Sequence, residues 1–278
     1  MKYTLTLLVL LNTFFGAFAQ NDSTTTTARS NSPYTTSFKA DGAIIVAGLG
    51  LSVLGFRLIQ NKDALTLAQV NALSKSDVNG FDRFSAGYFS SKADDDSYIP
   101  FYGSFAMPVV ALLNKNIGKK AGQVMVLYLE TMAVTGALFT LSAGAIVRHR
   151  PLVYAPSTAP MGKRQSKNSQ RSFFAGHTAA TAAATFFTAK VFSDFNPDSK
   201  LKPYVWAAAA IVPASVGYMR LKAGQHFLSD NLIGYGIGAA AGILIPQWHK
   251  KKNGVNENLS ITPLMDGRHQ GMAMSYIF

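Results

Sequence analysis

Two histidines of this 278-residue chain stand beside arginines at spacings that suit chemistry on an oxyanion. His226 follows Arg220 by six positions and precedes Asp230 by four, so on a helix the carboxylate and the imidazole are neighbours. A carboxylate that holds Nδ1–H leaves Nε2 free to attack, which is how an imidazole nucleophile is oriented. His177, in the run Ser172-Phe173-Phe174-Ala175-Gly176-His177-Thr178, can protonate a departing alkoxide. Arg150, in Arg148-His149-Arg150-Pro151, and Arg220 offer planar, permanently charged forks for phosphate oxygens. Gly176 lets main-chain amides approach an anion, with a helix N-terminus behind them.

These stretches lie between apolar runs at 42–56, 101–113, 121–147, 178–192, 203–219 and 231–245, which predict about six helices. Alternate helix ends in a bundle share a side, so the three stretches can meet at one face. Leu65, Leu67, Val70 and Leu73 predict a short amphipathic helix, and Asp94, Asp95 and Asp96 read as solvated loop. Gly234, Gly238 and Gly242 recur on one face, the small-residue pattern that lets helices approach closely in lipid. The runs are near the ~20 residues that cross a bilayer. Membrane residence is the favoured reading, and a close-packed soluble bundle is the alternative. Beyond Lys250, Lys251 and Lys252, period-two alternation around Asp266-Gly267 predicts a short C-terminal β-hairpin.

Composition agrees. Hydrophobic residues make up 48% of the chain and charged residues only 14%, against roughly 25% charged in soluble domains. With no cysteine, a disulfide scaffold, a thiol nucleophile, a Cys-ligated zinc and an iron–sulfur cluster are all excluded. The net charge is +12, and half of it sits in the acid-free segment 148–171, on Arg148, Arg150, Lys163, Arg164, Lys167 and Arg171. Few aromatics interleave with these charges, so nucleic acid is not the expected partner. Positive-inside topology and an anion site are the two readings of the segment. At the N-terminus Lys2, an apolar stretch over 5–15 and Ala17-Phe18-Ala19 predict a secretory signal over 1–19. A disordered, Ser/Thr/Asn-rich exported leader over 20–40 is expected to follow, then a helical domain over 41–249 and a basic linker with the hairpin over 250–278.

The constellation resembles the type-2 phosphatidic acid phosphatase superfamily, which also contains vanadium haloperoxidases. Its motifs are KxxxxxxRP, PSGH and SRxxxxxHxxxD. Arg150-Pro151 matches the end of the first, Gly176-His177 the second, and Arg220, His226 and Asp230 the third. The resemblance spans about 100–247, with the motifs within 143–230. It implies an all-α, six-helix bundle of the acid phosphatase/haloperoxidase kind, embedded in the membrane. It also implies metal-independent hydrolysis of a lipid phosphate or diphosphate through a phosphohistidine on His226. His177 would be the acid, Asp230 the orienter, and Arg150, Arg220 and Gly176 the phosphate binders. The site would face the periplasm from the inner membrane.

Four positions depart from the pattern. Ala143 stands where the motif has Lys, Phe174-Ala175 where it has Pro-Ser, and Met219 where it has Ser. Losing one such contact costs about a hundred- to a thousandfold in rate. Arg148, Lys222, Lys163 or Lys167 would be the substitute cation. Two alternatives stay open: a weakened or non-catalytic relative that binds phosphate headgroups, and a vanadate-dependent haloperoxidase, the only reading that calls for a cofactor. No metal is expected. His149 reads as loop filler, and His249 and His269 as surface residues.

Overall fold

Ser37 begins the first long helix because its hydroxyl accepts from Ala40 N and the Asp41 carboxylate reaches back to Ser37 N at 2.9 Å. The computed structural model describes residues 32–251 and the backbone of 259–266 and 269–276. Six helices of 20 residues or more occur in this part: α1 (Phe38–Gln60), α3 (Ser91–Ala111), α5 (Ala121–Ala145), α7 (Gly176–Phe195), α8 (Lys202–Lys222) and α9 (Leu228–His249). Short helices α2 (Leu67–Ala72), α4 (Lys115–Gly118) and α6 (Met161–Gln165) punctuate the connections. Pro203 occupies the first turn of α8, where its missing N–H costs nothing.

The acidic run Asp94-Asp95-Asp96 is helical and not a solvated loop. Ser90 caps α3 by accepting from Ala93 N at 3.2 Å, and carboxylates in the first turns suit the positive end of the helix. The helix therefore starts well before the apolar run that suggested it.

Helix α7 is the centre of the bundle. It packs against α3, α5, α8 and α9, while α1 lies along α5. The stripe Gly234, Gly238, Gly242 lets the α9 backbone rest on α7. A Cβ added at each would come within 2.6 Å of Ala175 O, 2.0 Å of Ala179 O and 2.6 Å of Ala183 O. Outward, α1 exposes Val46, Leu49, Val53, Leu54 and Phe56, an apolar surface too continuous for water. Among the described residues three helices, α1, α5 and α9, are long and apolar enough to cross a membrane.

Before α1, Tyr34 is buried and donates its hydroxyl to Asp194 at 2.8 Å, so the predicted leader is packed against the bundle from Ser32 on. Lys250 pairs with the same Asp194 at 2.6 Å. The predicted signal over 1–19 and the leader up to residue 31 lie outside the described residues, as does the side chain of His269. Strands β1 (Leu259–Asp266) and β2 (His269–Tyr276) pair antiparallel, with Leu259 opposite Tyr276 and Asp266 opposite His269.

Candidate active site

Backbone pairing assembles the site. After α5 the chain runs beside the segment that leads into α7: Arg148 N donates to Gln170 O at 3.1 Å, Arg150 N to Ser169 O at 2.8 Å, and Ser172 N to Arg148 O at 2.9 Å. The α8–α9 turn joins them through Leu152 N, which donates to Gly224 O at 3.0 Å. Gly224 has φ +70°, and a Cβ there would lie 1.9 Å from Tyr88 O. Only glycine fits that turn, and the turn sets where Gln225 and His226 fall.

His226, Arg150 and Arg220 are 2%, 4% and 3% exposed, so their charge states depend on the protein and hardly on water. His226 Nδ1 lies 2.6 Å from the Ser172 carbonyl, which can only accept. Nδ1 therefore carries the proton and Nε2 presents a lone pair. Burial first, and then the Arg150 and Arg220 charges, push the His226 pKa well below its ordinary value, so the imidazole is neutral. His177, on the first turn of α7, packs on Phe101 (ring centroids 4.2 Å apart) and Tyr98 (5.3 Å). Burial and the charges of Arg220, Arg150 and Arg171 bring its pKa down to about 3. Gly176, just before it, lies against the Phe139 ring, where a Cβ would meet an edge carbon at 2.6 Å.

Arg150 Nη1 donates to Gln225 Oε1, and Arg220 Nη1 donates to Asp94 Oδ1. Arg220 Nη1 also reaches Ser97 Oγ at 3.4 Å. Gln225 Nε2 completes the chain by donating to Asp94 Oδ2 at 3.2 Å. The Nε groups of both arginines are buried without a hydrogen-bond partner. Two unspent cationic donors beside a neutral imidazole make a centre that suits a tetrahedral oxyanion.

Asp230 does not touch the imidazole, contrary to the orienting role expected of it. Its Oδ2 accepts from Ser172 Oγ at 2.6 Å and Phe227 N at 2.9 Å, and its Oδ1 pairs with Arg148. The reason is local: a carboxylate in the first turn of α9 caps that turn's free amides. Ser172, one element away, relays the constraint through its carbonyl.

The expected substitute cations lie elsewhere. Arg148 is neutralised by Asp82 (2.6 Å) and Asp230 and lies over the Phe227 ring at 4.9 Å. Lys222 is exposed, its Nζ 5.5 Å from the centre of the Tyr88 ring. Lys163 lies over Phe89 at 5.3 Å, and Lys167 donates to Gln60 O at 3.0 Å. Arg171 is the third cation whose charge acts on His177. Ala143 is buried, and its carbonyl accepts from Lys62 Nζ at 2.7 Å.

The sequence reading missed Asp94, Asp82, Ser172, Gln225 and Arg171. Asp82 holds Ser229 through N (3.0 Å) and Oγ (2.6 Å). Burial raises the Asp82 pKa, but hydrogen bonds from Ser229, Asn79 and Arg148 outweigh it and hold the carboxyl below its ordinary value. Ser90, a helix cap just before the acidic run, was the one signal that could have placed Asp94 on a helix facing Arg220.

Helix ends gather around two buried arginines and two imidazoles, on a bundle in which three of the described helices are long and apolar enough to cross a membrane. The family model of the PAP2 superfamily matches residues 124–254, the segment that carries Arg150, Gly176, His177, Arg220, His226 and Asp230. Among solved structures it is similar to "the first transmembrane PAP2 type phosphatidylglycerolphosphate phosphatase from Bacillus subtilis", at 17% identity and a TM-score of 0.37, with 78% of this chain and 99% of that one covered. No curated protein sequence matches. Asp41, Asp82 and Asp94 come from helices and loops ahead of the matched segment.

Proposed function

We propose that the protein hydrolyses a phosphate ester carried by a lipid, with His226 as nucleophile. The observation that carries this reading is the neutral His226, its Nδ1–H held by Ser172 O, beside two buried guanidiniums with unpartnered Nε groups. The Nε2 lone pair forms an N–P bond as the ester P–O bond breaks, and the leaving oxygen takes a proton from His177. Because His177 is neutral in the free protein, that proton arrives with a monoanionic phosphate group. Water then attacks phosphorus, His177 takes its proton, the N–P bond breaks and Nε2 regains its lone pair. Arg150 and Arg220 bind the equatorial oxygens throughout. Membrane-length helices suit a substrate whose chain stays in lipid and whose headgroup reaches the helix ends. The exported, periplasm-facing placement belongs to the same proposal.

The test is phosphate release from a panel of lipid monophosphates and diphosphates in detergent. Release by the wild-type chain and loss in His226→Ala supports the reading, and equal rates in the two reject it. Ala143, in place of a cation, favours a second reading in which the site binds headgroups weakly or without turnover. Phosphate-headgroup binding with no release by the wild type selects it.

A further inference from the structure

A second polar cluster sits at the other end of α9. His226 precedes that helix and His249 is its last residue, which separates them by about 33 Å at ~1.5 Å per residue. His249 Nε2 lies 3.2 Å from Asp41 Oδ1, on the first turn of α1, and 3.4 Å from Glu130 Oε2, on α5. The three donor atoms all lie within 4.8 Å of one another. His249, expected at the surface, is instead drawn in by these two carboxylates.

Asp41 and Glu130 are 3% and 2% exposed. Glu130 Oε2 is buried with no hydrogen-bond partner, since its approach to His249 lacks hydrogen-bond geometry. His249 Nδ1 lies 2.8 Å from Ile245 O, a carbonyl that fixes the proton on Nδ1. Nε2 faces two carboxylate oxygens, and either a proton shared with Asp41 Oδ1 at 3.2 Å or a cation between the groups satisfies them. Even an imidazolium leaves the trio with one net negative charge. Among the described ion pairs no Lys or Arg reaches either carboxylate, and the neighbouring Lys250 is engaged by Asp194. Ligand bonds of about 2.0–2.2 Å put neighbouring donor atoms roughly 3.3 Å apart in a tetrahedral site. Ligation through Nε2 with Nδ1–H on a main-chain carbonyl is the usual second-shell arrangement of a metal-bound histidine.

We propose that Asp41, Glu130 and His249 bind one divalent cation of the zinc class, which clips α1 to α5 and α9 at the end of the bundle away from the arginines. The ion takes two carboxylate oxygens and one imidazole nitrogen, with a further position for water. Its role is structural, and it does not depend on the phosphatase reading.

The experiment uses the full chain in detergent, dialysed against EDTA, given one equivalent of ZnCl2 and desalted. Mass-spectrometric metal analysis should find one zinc per chain, and the thermal midpoint should rise on zinc addition. Asp41→Asn and Glu130→Gln should each weaken zinc binding at least tenfold and remove the rise. Should either variant fail to fold, Co2+ added to the wild type decides, because bound cobalt gives a visible d–d spectrum. Wild type that keeps no zinc, shows no cobalt spectrum, or gives variants that retain zinc undiminished overturns the proposal and leaves an ion triad closed by a proton.

Discussion

His226 donates its Nδ1–H to the Ser172 carbonyl, 2.6 Å away, and Asp230 meets the imidazole only through Ser172. Asp230 is therefore a positioning residue that acts by fixing Ser172 and the first turn of α9. Ser172→Ala keeps the carbonyl but loses a hydrogen bond to a buried carboxylate, about 1.5–3 kcal/mol of stability. A lower thermal midpoint with kcat reduced about tenfold is expected, far milder than His226→Ala. Asp230→Asn should behave likewise and leave KM unchanged. A loss in Asp230→Asn as complete as in His226→Ala, at an unchanged midpoint, would show that the carboxylate acts on the ring directly.

Acid should destabilise the protein through His177. Its folded-state pKa of about 3 lies below the ordinary 6.5, so between those values the unfolded chain binds the extra proton. The contribution is fully present above pH ~6.5 and is lost as the pH falls toward 3. The thermal midpoint should fall on acidification from pH 7 to 5, and His177→Gln should flatten that slope. Phosphate binding offsets the three arginine charges, so an NMR titration should show the His177 pKa rising when phosphate is added. A pKa near 6.5 in the free protein contradicts the burial argument.

Arg148 divides stability from activity. It lies between Asp82 and Asp230, both 0% exposed, and its removal leaves two buried carboxylates without their cation. Breaking such an arrangement costs about 3–5 kcal/mol. Arg148→Ala should lower the midpoint strongly, while the KM of the folded fraction stays within a fewfold. Arg150→Ala should do the reverse, with kcat down a hundred- to a thousandfold. A KM defect in Arg148→Ala without loss of stability would restore Arg148 to the phosphate.

Much of this was legible because helix ends carry their own marks. The Arg-Pro after the long apolar run, Gly-His before an Ala/Thr-rich one, and Arg220, His226 and Asp230 around a Gly-containing turn sit where α5 ends, α7 starts and α8 meets α9. What stayed hidden is pairing across distance. Asp94 on Arg220, Asp82 on Arg148 and Asp41 beside His249 join parts of the chain far apart in sequence, and local pattern says nothing about partners. Asp230 was misread because its spacing from His226 fits two outcomes, an imidazole contact and a helix cap. Only the position of Ser172 selects the cap.

Arg171 is the cation to test as the replacement for the one missing at Ala143. Its charge lowers the His177 pKa together with Arg150 and Arg220, and it stands half-buried two positions before Phe173. Arg171→Ala should reduce kcat about a hundredfold and raise the His177 pKa. Adding Ala143→Lys to that variant should recover part of the loss. The readout is kcat with the His177 titration alongside. An unchanged rate in Arg171→Ala, with the titration also unmoved, removes it from the site.

The α7–α9 contact ties helix packing to the chemistry. Gly234 faces Ala175, whose amide donates to Asp230 O at 3.1 Å, and a Cβ at 234 would approach Ala175 O to 2.6 Å. Gly234→Ala must push the start of α7 away from the start of α9, which separates His177 from His226. Overpacking of this kind costs about 1–3 kcal/mol, and a 1 Å misplacement alone can cost on the order of a hundredfold in rate. Gly236, on the same helix, has nothing within 4 Å of an added Cβ. There Gly→Ala should gain up to about 1 kcal/mol from helix propensity and leave kcat alone. Thermal midpoints and phosphate release of the two variants, measured side by side, check the pair. Equal behaviour of Gly234→Ala and Gly236→Ala would mean that the close approach of α7 and α9 does not set the geometry of the two histidines.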